Sequence, residues 1–217
     1  MKHFYKEIKP AYPELHKGTI WFSYEKIFEE MVKEAKDGDH FVEVGVWLGR
    51  STAYLAVEIF NSGKDIRHDV IDTWAGNGDI ELYPPTKGFL EENDFNVLSI
   101  FKENMEKGGV LDKINITQQE SLLAVKDYED ESLQSVFIDG NHIEVGLDLK
   151  AWYPKVKEGG IIGGDDLFYG TYPSNMEDYK GKSIFEYDAP SKQIWSFFEG
   201  KVLNVVANEN GPWWIKK

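Results

Sequence analysis

Three carboxylates and a histidine are packed into two short stretches of this sequence. Phe137-Ile138-Asp139-Gly140-Asn141-His142 closes one apolar run, and Gly163-Gly164-Asp165-Asp166 closes the next. If both runs are parallel strands, their carboxyl ends converge on one cleft, as neighbouring strand ends of an open α/β sheet do. Two like charges about 4 Å apart cost roughly 1 kcal/mol in water and about 4 kcal/mol at an effective dielectric of 20. Such a cluster calls for a cation. The all-oxygen set Asp139, Asp165 and Asp166 suits Mg²⁺ or another divalent ion of similar preference. The competing reading is that these acids cap helices and face water. His142 adds a proton acceptor, since an imidazole's ordinary pKa of about 6.5 suits neutral pH.

A second constellation is Phe41-Val42-Glu43-Val44-Gly45-Val46-Trp47-Leu48-Gly49-Arg50-Ser51. An apolar strand ends in an acid, and a glycine turn then opens a helix. Glycines let the backbone approach a ligand closely, and the helix start supplies free N–H donors. Glu43 disfavours an anionic pyrophosphate at that turn and attracts an ammonium group instead. The spacing Gly45-x-x-x-Gly49 also misses the dinucleotide fingerprint Gly-x-Gly-x-x-Gly. An ordinary strand–helix turn is the bland alternative. Asp72 closes the run Asp69-Val70-Ile71-Asp72, roughly 20 residues beyond the turn, where an acid can accept both ribose hydroxyls of a nucleoside. Capping of the turn before Thr73-Trp74 is its other reading. Gln119-Glu120-Ser121 brings polar groups to an adenine edge, or lets Ser121 cap the next helix.

These residues need an alternating scaffold, and the sequence has one. Short apolar runs at 41–45, 67–72, 114–117, 135–139 and 160–164 alternate with amphipathic stretches, the pattern of an α/β fold with a mostly parallel sheet. Helices are expected from Ser23, as cap, to Lys36, and at about 50–60, 95–107, near Leu122, 143–156 and 192–198. Gly108-Gly109 reads as a helix stop. Two final strands, 202–207 and 212–216, flank Asn208-Glu209-Asn210-Gly211, a hairpin turn composition. The stretches 73–94 and 167–191 read as long loops, which in a compact domain are usually lids or binding segments. The second carries Phe168, Tyr169, Tyr172, Tyr179, Phe185 and Tyr187, suited to a lid over an acceptor or to satellite packing.

The bulk numbers narrow the classes. With 217 residues and 41% hydrophobic content, the length suits a single domain. It divides into an N-terminal cap and helix (1–38), a binding core (39–166), the acceptor lid (167–191), and a closing helix and hairpin (192–217). No apolar run approaches the ~20 residues of a membrane span, and the start lacks the apolar stretch of a signal peptide, so a cytoplasmic location and no membrane partner are expected. The absence of cysteine rules out a disulfide framework and a zinc–thiolate site. A formal net charge of −14 with scattered Lys and Arg argues against nucleic acid as substrate. A homo-oligomer stays open.

Taken in order, Glu43-x-Gly45-x-x-x-Gly49-x-Ser51, Asp72-Thr73-Trp74, Asp139-Gly140-x-His142 and Gly163-Gly164-Asp165-Asp166 resemble a family of small-molecule O-methyltransferases. That family includes the macrocin-type sugar methyltransferases and is related to the catechol O-methyltransferases. The similarity runs from about Asp39 to Asp166. It implies a Rossmann-like sandwich, a mostly parallel seven-stranded sheet closing with an antiparallel hairpin, and S-adenosylmethionine (SAM) as methyl donor. By the same resemblance, Glu43, Gly45, Gly49 and Ser51 hold the methionine part, with Trp47 replacing the small or aromatic residue usual in the turn. Asp72 with Thr73 takes the ribose, and Gln119 and Glu120 lie near adenine. Asp139, Asp165 and Asp166 match metal-ligand positions, although catechol-type relatives carry Asn where Asp166 stands. His142 falls where those relatives place a lysine base. The implied reaction is Mg²⁺-assisted transfer of a methyl group to the hydroxyl of a sugar-like or phenolic small molecule, with Asp139 and His142 at the chemistry. A nicotinamide oxidoreductase would explain Asp72 but not Glu43, the glycine spacing or the hairpin. A nucleic-acid methyltransferase would want an Asn/Asp-Pro-Pro-Tyr motif after the fourth strand, and Tyr83-Pro84-Pro85 follows the second. A non-catalytic SAM-binding module shares the same binding residues.

Overall fold

A computed structural model describes residues 1–9, 22–76, 84–142, 144–167, 190–206 and 211–217. Its strands are β1 (Asp39–Val44), β2 (Ile66–Asp72), β3 (Asn115–Gln118), β4 (Leu133–Ile138), β5 (Val156–Gly164), β6 (Asn204–Val205) and β7 (Trp213–Lys216). Its helices are α1 (Glu25–Glu34), α2 (Arg50–Ser62), α3 (Pro84–Glu92), α4 (Val97–Lys107), α5 (Ser121–Ala124), α6 (Val145–Trp152) and α7 (Pro190–Phe197). The strands form one sheet in the order β3-β2-β1-β4-β5-β7-β6. β1 to β5 run parallel, and β7 lies antiparallel between β5 and β6. This is the Rossmann-like methyltransferase sheet, closed by an antiparallel hairpin as the sequence leads one to expect.

Strand alternation sorts the core into two layers, because successive side chains point to opposite faces. Phe41 on β1, Val70 on β2 and Phe137 on β4 pack under α1, α2 and α4. Val42, Val44, Ile71, Val136 and Ile138 face the other way, against α6 and α7. The apolar side chains expected to form one face of the first helix, Ile27, Phe28, Met31 and Val32, are all buried. β1, β4 and the second half of β5 are buried on both faces, which is why they read as near-continuous apolar runs rather than as alternating ones.

Several boundaries differ from the sequence reading. Ser23 is not the cap of α1; that position is Tyr24, which makes no side-chain capping bond. The stretch 73–94 is not all loop, since α3 occupies Pro84–Glu92. Prolines are tolerated in the first turn of a helix, where their missing N–H would have had no partner, so Pro84-Pro85 begins this helix instead of breaking it. β5 starts at Val156, ahead of the expected run 160–164, and the preceding helix stops at Trp152 rather than at 156. The aromatic lid residues from Phe168 to Tyr187 lie outside the described residues, as do Tyr83, Ile143 and positions 208–210 of the hairpin turn. No described helix is long and apolar enough to cross a membrane.

One buried charge ties the amino ends of the sheet together. Asp69 on β2 is 2% exposed and accepts from His40 Nε2 (2.8 Å), Arg67 Nε and Nη2 (2.9 and 2.8 Å), Asn115 Nδ2 (2.8 Å) and the Tyr128 hydroxyl (3.0 Å). Burial alone would push its carboxyl up, but the hydrogen bonds from His40, Arg67 and Asn115 outweigh it and hold Asp69 well below the usual carboxylate range. A carboxyl depressed in the folded state stabilises the protein above its unfolded pKa of about 3.9, and that stabilisation disappears as pH falls toward the folded value. Asp69→Ala should therefore cost about 3 kcal/mol at neutral pH, as breaking a buried ionic network does. Thermal unfolding between pH 7 and pH 2 checks this: the wild type should lose its advantage over the variant at the acid end.

Candidate active site

The glycine turn between β1 and α2 is built from left-handed residues at every second position. Gly45, Trp47 and Gly49 have φ of +82°, +45° and +88°. Such alternation turns successive N–H groups inward into an anion-binding concavity. Here the anion is Asp72 from the end of β2. Its Oδ2 accepts from Val46 N and Trp47 N, both at 2.8 Å, and its Oδ1 accepts from Trp74 N at 2.7 Å. The Trp74 indole N–H then donates to the Trp47 carbonyl at 2.8 Å. Burial pushes the Asp72 carboxyl above its ordinary value, while the amide donors pull the other way. An ionised carboxylate offers about four acceptor positions, so three amides leave room for about one ligand hydroxyl. Turn capping, the alternative role for Asp72, is thus present in the structure.

Gly45 is required by close approach. A Cβ there would meet the Asp139 carbonyl oxygen at 2.1 Å and Gly140 Cα at 2.5 Å. Gly49 is hemmed in as well, since its Cβ would meet Met105 Cε at 2.5 Å. Gly49 is the N-cap of α2 and has no side chain to cap the helix, and Ser51 is buried in the first turn. Glu43, 0% exposed, lies beneath that turn. Its Oε2 accepts from Thr52 Oγ1 at 2.9 Å and lies 3.4 Å from His68 Nε2, whereas Oε1 has no hydrogen-bond partner among the described residues. A buried carboxylate oxygen left in that state costs free energy until a donor reaches it.

Across the turn, the end of β4 delivers Asp139. Its backbone N–H donates to the Val44 carbonyl at 2.8 Å, locking the two strand ends together. Asp139 Oδ1 lies 3.8 Å from His142 Nε2, and that nitrogen lies 3.0 Å from Oδ2 of Asp166. One ligand atom from each of Asp139, His142 and Asp166 falls within 4.8 Å of the others. Burial and the Asp166 charge raise the Asp139 carboxyl above its ordinary value, against the opposing pull of His142 and Tyr24. Asp166 reaches the cluster from a left-handed backbone (φ +62°), a conformation Asp tolerates better than most residues. Asp165 stands apart from this set, buried at the end of β5, where its carbonyl accepts from the Trp213 indole at 3.2 Å. Asp139, His142, Val145, Asp165, Asp166 and Pro190 line one small cleft.

The remaining expected residues sit around the carboxyl edge. Thr73 makes a local turn, accepting from Ala75 N and donating to the Gly76 carbonyl. The Gln119 N–H donates to the Asp72 carbonyl at 3.0 Å, and Glu120 is exposed at the N-cap of α5. Ser121 does not cap that helix; it is the first helical residue, and its hydroxyl donates to Asp148 while accepting from the Trp152 indole at 2.8 Å. Burial, with a further push from Glu144, lifts the Asp148 carboxyl to about 6.

Four partners escaped the sequence reading: Tyr24, Thr52, His68 and Asp148. Tyr24 donates to Asp139 Oδ2 at 2.7 Å. Burial first, then the charges of Asp139, Asp165 and Glu43, push its phenol well above the usual range. His68 had a signal, because it shares a strand face with Ile66 and Val70 and so had to be buried. Tyr24 had none, being one of 11 tyrosines just ahead of a helix.

The sheet order and this carboxyl-edge site define a class I methyltransferase architecture. Residues 42–167, more than half of the chain, match the methyltransferase-domain family, and the chain belongs to it. Solved structures agree on the fold. The SAH-bound methyltransferase PaMTH1 from Podospora anserina superposes with a TM-score of 0.63 at 14% identity, covering 98% of this chain and 86% of that one. The O-methyltransferase TomG from Streptomyces achromogenes, involved in tomaymycin synthesis and solved with SAM, gives 0.61 at 13% identity over 97% and 86%. An O-methyltransferase from Bacillus cereus in complex with SAH gives 0.57 at 13% identity over 92% and 83%. No curated protein sequence matches the chain.

The double use of Asp72 yields a test. Asp72→Ala should weaken SAH binding and also cost roughly 3 kcal/mol of stability, from bonds to a charged acceptor worth about 1.5–3 kcal/mol each. For a chain of this size that is about 6–12 °C in Tm. Calorimetry of ligand-free protein checks it, because a residue that only touched ligand would leave the Tm in place.

Proposed function

We propose that this chain transfers the methyl group of SAM to a hydroxyl of a small molecule, sugar-like or phenolic, with the help of a divalent cation. The observation that carries this reading is the convergence of Asp139, His142 and Asp166 beside the glycine turn. The residues present fit both groups. Glu43 Oε1 and the uncapped start of α2 suit an amino-acid moiety, with its ammonium near the carboxylate. Two carboxylate oxygens and an imidazole nitrogen within 4.8 Å suit a cation. The converged set includes the imidazole of His142, with Asp165 lining the same cleft, and an imidazole among carboxylates favours Mn²⁺ over Mg²⁺.

SAM supplies an electrophilic methyl on a sulfonium, and a bound cation supplies charge that lowers the pKa of an acceptor hydroxyl. The chain's own contribution is geometry. Asp72 and Trp74 hold the turn, Asp139 is locked to Val44, and Asp166 is aimed by its left-handed backbone. Holding donor and acceptor in line can supply roughly 7–11 kcal/mol of the barrier reduction. Acidic surroundings and a net charge of −14 support a small-molecule acceptor over a polyphosphate one.

The 3.0 Å contact between His142 Nε2 and Asp166 favours a second, metal-free reading. A lone pair facing an ionised carboxylate at that distance is repulsive, so without a cation a proton sits between them. His142 would then donate through Nε2 to Asp166, and Nδ1 would be the nitrogen that takes the acceptor's proton. The two readings use the same nitrogen differently and exclude each other.

Assays over a panel of sugars and phenols, with and without chelator, separate them. Asp139→Ala should lower turnover by about 100-fold and leave SAH affinity nearly unchanged, whereas Asp166→Asn, which keeps an oxygen, should cost about 10-fold. EDTA should abolish activity and Mn²⁺ restore it. Full activity in EDTA would leave His142 as the base. SAH binding with no methyl transfer to any acceptor would make the chain a SAM-binding module instead.

A further inference from the structure

Tyr24 is 1% exposed, and its ring is held on three sides. It stacks on Phe137 at 4.5 Å between centroids and 27° between planes, and meets Phe22 and Phe28 edge-on at 4.8 and 5.4 Å. Phe137 is two residues before Asp139 on the same strand, so the phenol is referenced to the strand that carries the acid. The hydroxyl donates to Asp139 Oδ2 at 2.7 Å, while it is the other oxygen, Oδ1, that faces His142. A carboxylate can otherwise rotate about its last side-chain bond, or offer both oxygens to one cation.

We propose that Tyr24 is a positioning residue that occupies Oδ2 of Asp139, so that the carboxylate presents Oδ1 alone to a divalent cation shared with His142 and Asp166. This rests on the cation reading above. A single-oxygen ligand leaves one coordination position more for the acceptor hydroxyl than a chelating carboxylate would. The phenol O–H is the donor in this contact and Oδ2 the acceptor. Removing the partner of a ligating group typically costs 10–100-fold in metal affinity.

The test titrates Mn²⁺ into wild type, Tyr24→Phe and Phe28→Leu, read by electron paramagnetic resonance, with SAH affinity and Tm measured on each. Tyr24→Phe keeps the ring and loses only the hydroxyl. It should weaken Mn²⁺ binding about 10-fold or more, with SAH affinity within about twofold of wild type. Phe28→Leu loosens the same aromatic cluster without touching Asp139, so it should lower Tm and keep the Mn²⁺ affinity. Equal Mn²⁺ affinity in wild type and Tyr24→Phe overturns the role of Tyr24 and leaves the cation reading standing. An equal loss in Phe28→Leu reduces Tyr24 to packing and overturns it too. No Mn²⁺ binding by wild type overturns both readings.

Discussion

Between Gly45 and the Asp139–Gly140 peptide there is room for no side chain, and the site is assembled around that contact. The Val44 carbonyl takes the Asp139 N–H at 2.8 Å, and the Gly45 N–H goes to the Ile71 carbonyl at 2.8 Å. Three strand ends are thereby fixed to one another where the chain leaves the sheet. This is also where strand order reverses, since β1 lies between β2 and β4. Open α/β sheets bind ligands at such a point because the connections diverge to opposite faces and leave a crevice. A methyl group at Gly45 would drive the end of β4 away from the glycine turn. The acidic cluster on one side would then lose its register with the glycine turn on the other.

Charge imposes the second constraint. Glu43, Asp139, Asp165 and Asp166 all lie near this junction, and no Lys or Arg among the described residues lines the cleft. The structure relieves the repulsion piecemeal. Thr52 and His68 attend Glu43, Tyr24 donates to Asp139, and His142 faces Asp139 and Asp166. Apart from the two imidazoles these partners are neutral donors, so the net negative field stays directed at the cleft. A sulfonium bearing an ammonium, or a divalent cation, is attracted by such a field, and a pyrophosphate is not.

Much of this was legible in the sequence because it depends on period and punctuation. All seven strands fall where apolar runs lie between turn residues, and the glycine spacing told one nucleotide-type site from another. The losses have physical causes. Pro84-Pro85 has the same composition whether it breaks a helix or begins one, and only packing, here the buried Leu90, decides. β6 is shorter than the expected run 202–207: among its described residues Asn204 and Val205 pair in register with β7, and beyond them Val206 N donates to the Pro212 carbonyl at 2.7 Å. The grouping of His142 with Asp139 and Asp166 depends on the left-handed φ of Asp166, which sequence does not display.

Asp72 and Asp139 are the same residue at equivalent places, each just at the carboxyl end of a parallel strand, and a motif cannot tell them apart. Hydrogen-bond accounting can. Asp72 meets three backbone amides, so most of its acceptor capacity is spent on shaping the turn. Asp139 meets one phenol on one oxygen, and its other oxygen looks into the cleft toward an imidazole. Backbone amides cannot be mutated away or displaced by a ligand without unfolding the turn. A side-chain donor, by contrast, orients the carboxylate and leaves it open to exchange. The first arrangement makes an architectural acid, and the second makes an acid with one oxygen turned into the cleft.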